Sequence, residues 1–412
     1  MVSLSELQDA FPSEGLFADK SWHLSPEPLR LEDKERRELE RMGSVLAAFQ
    51  EAQDRIYRRS SKGRIHPWLA ELLDSGKPDW MTGWQCEGSQ AEVVPRVIRP
   101  DLLLTENGFA ITELDSVPGG MGVTAWLGSV FKDVIGGEDG IIEGLRCILP
   151  EKNREIWVSD ESADYRPEMR WLAEQLGDTE VRRAEDWAGE SGYRFFELFD
   201  WENIPRLATS EKKGGLTPPV KPLFEEKLWL ALLHTPGLKA IWEQELRGKH
   251  FEQLKKWIPM GWTVDPTPLP PHAALPSIGV NSWQEVGTLS QKERRLVLKV
   301  SGFSELAWGS RGVYIGHDEP KERWAELVEQ AGQDFDSQPW MMQEFREAKL
   351  IEHPYFDSES GEVKMMKGRA RLCPYYFVTP GEVRLGGCLA TIVPADKKKI
   401  HGMEDAILVP VI

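Results

Sequence analysis

Residues 93–115, VVPRVIRPDLLLTENGFAITELD, constrain this chain more than any other stretch. Two apolar runs flank Asn107-Gly108, which is the pattern of a β-hairpin. The runs also carry Asp101, Glu113 and Asp115, acids that a buried strand rarely tolerates. If the loop is Glu106-Asn107-Gly108, with glycine supplying the left-handed conformation, Asp101 stands opposite Glu113. Asp115 lies two residues on and faces the same way, so the acids interleave with Leu103 and Ile111. A two-residue loop instead puts Asp101 on the other face. Carboxylates gathered on apolar strands repel one another unless a cation neutralises them, and an all-oxygen set suits Mg²⁺. Arg99, two residues before Asp101, is placed to grip a phosphate or carboxylate. The plainer reading is a hairpin end whose acids simply meet water.

After Asp115 comes SVPGGMGVTAWLGSVF. Pro118-Gly119-Gly120 is expected to turn, with a helix starting near Val123. The N–H groups of such a turn can bind an anion.

A second constellation lies downstream. RRLVLKV reads as an apolar strand with Lys299 inside it, and a buried lysine needs a partner. The following loop, SGFSELAWGSRG, holds Ser301, Gly302, Gly309 and Gly312, whose N–H groups can face phosphates. With Ser304, Ser310 and Arg311 it has few apolar anchors, so it is expected to be mobile without a ligand. Closure over a phosphate-bearing ligand would then bury Trp308; the bland alternative is a permanently packed loop. A strand, a helix over 320–332 and PWMMQEF follow. Gln343-Glu344-Phe345 reads either as a hinge whose groups meet an adenine edge or as an ordinary strand end.

Composition narrows the classes. The 412 residues imply roughly two to four domains. A formal net charge of −17 argues against a nucleic-acid coat, though not against a local basic pocket. No apolar run reaches membrane-span length, and the N-terminus lacks the basic and apolar regions of a signal peptide. Cys86, Cys147, Cys373 and Cys388 form no CxxC pair, and the chain reads as reduced and cytoplasmic. Helix-forming residues dominate 31–59 and a short helix follows at 65–73. Residues 155–205 read strand–helix–strand with parallel strands, 223–258 as helical, and 362–412 as mostly strands. The expected division is an N-terminal helical region over 1–90, a hairpin and α/β layer over 91–222, a helical subdomain over 223–290 and a nucleotide-binding subdomain over 291–412. The class is α/β or α+β.

These residues resemble the ATP-grasp superfamily, and more narrowly its circularly permuted branch typified by glutathionylspermidine synthase, over roughly 90–412. That family carries Arg-x-Asp and then Glu-x-Asn, and this chain has Arg99-Pro100-Asp101 and Glu113-Leu114-Asp115 at the same spacing, with Asp in place of Asn. Lys227, opening a helix in FEEKLWLALL, and Lys299 match the family's two nucleotide lysines. The family's late arginine is missing from GGCLATIVPADKKKIHG; Arg369 or Arg371 is the available replacement. The resemblance implies an ATP-grasp fold with a pre-ATP-grasp layer, ATP and Mg²⁺ as cofactors, and small carboxylate and amine substrates. The implied reaction is ligation through an acyl phosphate. Arg99 and Arg371 would be catalytic, and Asp101, Glu113 and Asp115 would hold the metal. The nucleotide would take Lys227, Lys299, Ser301, Gly302, Gly309, Gly312, Gln343, Glu344 and Phe345. The alternative is a non-catalytic nucleotide-binding or scaffold protein on the same fold.

Overall fold

The computed structural model describes every residue except 1, 18–20, 116, 153, 271–272, 308, 310, 398–399 and 401–404. In chain order the strands begin with the hairpin β1 (Val97–Thr105) and β2 (Gly108–Asp115). Four short strands follow: β3 (Arg154–Val158), β4 (Thr179–Arg183), β5 (Gly192–Phe195) and β6 (Leu216–Thr217). Next come β7 (Gly261–Thr263), β8 (Leu296–Val300), β9 (Val313–Ile315) and β10 (Trp340–Glu344). The chain closes with β11 (Leu350–Phe356), β12 (Val363–Thr379), β13 (Glu382–Pro394) and β14 (Ile407–Pro410).

The residues gather into two compact units. The first comprises Met1–Gln50, Val93–Val220 and Glu347–Ile412; the second comprises Glu51–Glu92 and Lys221–Arg346. The expected block 291–412 is therefore divided. Its last strands pair with the hairpin through β12–β1, while β8, β9 and β10 form a separate sheet. Apolar strand runs alone do not say which other strand will accept their hydrogen bonds.

In the first unit an antiparallel sheet runs β14-β13-β12-β1-β2, with β11 pairing the first half of β12. Alternation gives this sheet two faces. One carries Val97, Cys373, Tyr375 and Phe377 into a core with the helices Met121–Val130, Gly140–Ile148 and Arg166–Leu176. Tyr376, on the other face, lies against Gly43 and donates to the Leu39 carbonyl, both in the helix Asp33–Ser61. The parallel sheet β4-β3-β5-β6 packs Ile156, Val158, Tyr193 and Phe195 into the same core, as the sequence leads one to expect for 155–205.

The second unit holds the antiparallel sheet β7-β10-β8-β9. Leu296, Leu298, Val300, Trp340 and Met342 pack against Trp324, Leu327 and Val328 of the helix Lys321–Gln333. The helical stretch expected over 223–258 is broken into Leu228–Leu232, Lys239–Glu245 and Gly248–Trp257. A 3-10 turn begins at Pro236 in the first gap, and Arg247 is extended in the second.

Candidate functional site

The hairpin turn is the two-residue kind, since Thr105 pairs with Gly108. By itself this would turn Asp101 away from Glu113. A β-bulge between Asp101 and Leu102 restores the pairing, so Asp101 faces Glu113 and Arg99 faces Asp115. Thr112, the extra residue, donates its hydroxyl to the Asp101 carbonyl at 3.2 Å. The bulge also corrects one expectation: Ile111 pairs with Leu102 and lies on the opposite face from the acids.

Arginines lace this face. Arg99 pairs with Asp115 through one Nη and lies 3.3 Å from Asp101 Oδ1 through the other. Arg371 reaches Asp101 Oδ2 at 3.0 Å from β12, where it pairs with Leu103. Arg369 turns elsewhere, to the Ala348 and Ala395 carbonyls and Glu347, so Arg371 is the arginine beside the acids. Cys373 Sγ stands 3.5 Å from Asp101 Oδ1. Burial pushes the Asp115 carboxyl up; Arg99 opposes this, while Glu113 and Asp101 add to it. Burial works against the Arg99 charge, but Asp101 and Asp115 outweigh it and hold the guanidinium well above its ordinary range. Burial and then Asp101 push the Cys373 thiol up to about 11, which keeps it protonated. The donor set is all oxygen and fits Mg²⁺ in kind. Among the described residues, however, no three acidic, histidine or cysteine side chains are gathered as a metal cage, and the arrangement is an ion-pair network.

The glycine turn does bind an anion, and that anion belongs to the chain. Glu168, fully buried in the helix Arg166–Leu176, accepts from the N–H groups of Gly120 at 3.1 Å, Gly122 at 2.7 Å and Val123 at 3.2 Å. Gly120 adopts φ +87° at the N-cap of Met121–Val130. A Cβ on Gly119 would come within 2.3 Å of the Tyr165 ring, and one on Gly122 within 2.4 Å of Glu168 Cγ. The glycines therefore admit an internal carboxylate to the positive end of a helix. An acid in a first helical turn is too common to have marked Glu168 in the sequence.

In the second unit Lys299 is 4% exposed and lies on the sheet face turned away from the Trp324 core. Its Nζ donates to Gln343 Oε1 at 3.0 Å, across the Lys299–Met341 register of β8 and β10. Gln343 Nε2 is buried and finds no partner. On the same face, Gly261 brings β7 within van der Waals reach of Ala231 in Leu228–Leu232, which explains part of the burial. Lys227 is the N-cap of that helix, as its sequence context suggests, and its Nζ donates to the Ala307 carbonyl at 3.0 Å.

The loop after β8 is tethered rather than unpinned. Ser301 donates to the Glu226 carboxylate and accepts from Leu228 N–H at 3.2 Å, so its hydroxyl has internal partners. Glu226 in turn forms a buried ion pair with Lys77 at 2.6 Å. The Gly302 carbonyl receives Gln338 at 3.1 Å, and a Cβ on Gly302 would meet the Glu225 carbonyl at 2.1 Å. Gly312 donates to Leu306 at 2.7 Å. Gly309, at φ +61°, has open space where a Cβ would stand. Trp308 and Ser310 lie outside the described residues. Glu344 pairs with Arg346 at 2.8 Å, and Phe345 stacks edge-on against His317 at 4.6 Å with Arg295 over its ring. The Gln343–Phe345 stretch ends where the chain leaves the second unit, after Arg346.

The sequence matches no family model and no curated protein. Solved structures are matched by shape. A glutathione synthetase-like effector from Globodera pallida, in its apo form, superposes with a TM-score of 0.58 at 13% identity, over 99% of this chain and 96% of that one. A candidate gamma-glutamylcysteine synthetase from Methylobacillus flagellatus aligns over 88% of this chain and 85% of its own, at 12% identity and a TM-score of 0.41. This chain has the mixed α/β fold of the glutathione synthetase-like effector. That likeness spans nearly the whole of both chains.

Proposed function

We propose that this chain is an ATP-dependent ligase on an ATP-grasp fold of permuted order, joining a carboxylate to an amine or thiol. The observation that carries the reading is the Lys299–Gln343 pair. A buried cation and a buried amide with an unmatched N–H stand on the sheet face opposite the Trp324 core. Such a pair suits a ligand that is both anionic and rich in acceptors, as a nucleotide is. The glutathione synthetase-like name of the structural relative points the same way.

In the second unit, Lys299 and Lys227 would take the phosphates, with N–H groups of 301–312 around Gly309. The end of β10 over Gln343–Phe345 would take the base. In the first unit, Asp101, Glu113 and Asp115 would hold Mg²⁺, with Arg99 and Arg371 gripping a carboxylate or phosphate. A bound metal there would supply charge neutralisation. In the reaction a carboxylate oxygen takes the γ-phosphoryl group and ADP leaves. The amine or thiol then attacks the acyl carbon, phosphate departs, and the nucleophile loses its proton. Catalysis is by position and electrostatics.

A second reading, a nucleotide-binding protein without ligase activity, is favoured by the pairing of Asp101 and Asp115 with Arg99 and Arg371, which already offsets their charge. ADP release measured across amino acids, short peptides and polyamines separates the two. The ligase releases ADP only when both an acid and a nucleophile are present, and Lys299→Ala lowers that rate at least ~10-fold. ATP binding without acid-dependent ADP release establishes the second reading.

A further inference from the structure

Arg294 is 3% exposed, and among the described residues its guanidinium has no acidic partner. Its one side-chain bond is a long one, from Nη1 to the Pro320 carbonyl at 3.5 Å, and its Nε has no partner. The other buried arginines are provided for: Arg58 pairs with Asp54 at 3.0 Å, and Arg194 donates to three carbonyls. A buried and uncompensated charge is strongly destabilising, so an unpaired guanidinium calls for an anion from outside the chain.

Arg294 lines a cavity of about 460 Å³ that opens to solvent. Gln291, Asp318, Glu319, Pro320 and Lys321 complete its wall. Two features add positive potential. Lys321 contributes its ammonium, and the 13-residue helix Lys321–Gln333 begins here with Pro320 as an N-cap that offers no side-chain bond. The stem of Arg294 packs on Gly316, beside Trp324 and therefore on the helix side of the sheet. Lys299 lies on the other side. The cavity is thus distinct from the nucleotide face proposed above, and it does not depend on that reading.

The two acids on the wall decide what kind of anion fits. Asp318 lies 3.8 Å from His317 Nε2, and Glu319 is half-buried beside it. Their charges repel a multiply charged phosphate and attract an ammonium. We infer that this cavity binds a free α-amino acid, with its carboxylate on Arg294 and the first turn of Lys321–Gln333 and its ammonium toward Glu319 and Asp318. No bond is made or broken; the ligand carboxylate replaces water around Arg294.

The test is calorimetric titration of the full chain with L-alanine, with sodium acetate and inorganic phosphate as separate arms. The site predicts saturable alanine binding, weaker acetate binding and no phosphate binding. Arg294→Gln should weaken alanine binding ~10-fold or more, the loss of a charge-assisted bond. Lys299→Ala should leave it unchanged, which separates this cavity from the nucleotide face. Should Arg294→Gln fail to fold, Glu319→Gln at a half-exposed position serves instead, weakening alanine but not acetate. Absence of alanine binding, phosphate binding tighter than alanine, or alanine binding indifferent to Glu319→Gln overturns the inference.

Discussion

At the scale of single residues, the informative side chains are those whose charge the fold hides. Glu168 is fully buried yet satisfied, because three N–H groups at a helix start converge on its carboxylate. Removing it leaves three donors buried at once, each costing about 1–3 kcal/mol. Glu168→Ala should therefore lower stability by about 3 kcal/mol or more, whereas Glu168→Gln, which keeps one acceptor, should cost less. Urea unfolding of the two variants checks this, and equal midpoints would mean that the carboxylate does not cap the turn. Lys299 contrasts with Glu168, since its amide partner retains an unmatched donor. Satisfaction marks Glu168 as structural, and its incompleteness at Gln343 is what the proposed nucleotide site on the lysine face rests on.

At the scale of elements, a β-bulge and a tethered loop set the two candidate sites. The bulge at Thr112 rotates the end of β2, which brings Glu113 and Asp115 to the face of Asp101 and leaves Ile111 with Leu102. The loop after β8 is held by the Lys227–Ala307 bond and by the bonds of Ser301, Gly302 and Gly312. Lys227 ties the loop, and in the proposed function the same ammonium would turn to phosphate. Lys227→Met should raise amide exchange over residues 304–312 in the ligand-free protein. Hydrogen exchange read by mass spectrometry decides the matter, and unchanged exchange would show that the other tethers suffice.

At the scale of the whole molecule, the second unit is assembled from two distant stretches. Lys221, fully buried, pairs with Asp54 and donates to the Gln90 carbonyl at 3.0 Å. Lys77 pairs with Glu226, and Arg55 with Glu245 at 2.8 Å. Leaving a buried ion without its partner costs about 3–5 kcal/mol. A fragment of residues 221–346 should therefore fail to fold alone and should fold on co-expression with residues 51–92. Proton NMR dispersion reads the outcome, and a dispersed spectrum from 221–346 by itself would refute the dependence.

The local elements were legible because they depend on neighbours in sequence. The helix at 31–59, the hairpin, the parallel strands of 155–205 and the strand carrying Lys299 all follow from spacing, glycine and proline. The order of Arg99, Asp101, Glu113, Asp115, Lys227 and Lys299 was likewise visible as a resemblance. Tertiary structure alone decided that β12 pairs with β1 and so divides 291–412, that Arg371 rather than Arg369 meets Asp101, and that Glu168 occupies the glycine turn. It also decided that Ser301 is bound internally and that Arg294 is buried without an acid. The physical reason is the same throughout. Periodicity and turn chemistry act over a few residues, whereas strand register, burial and the matching of charges are set by partners tens to hundreds of positions away.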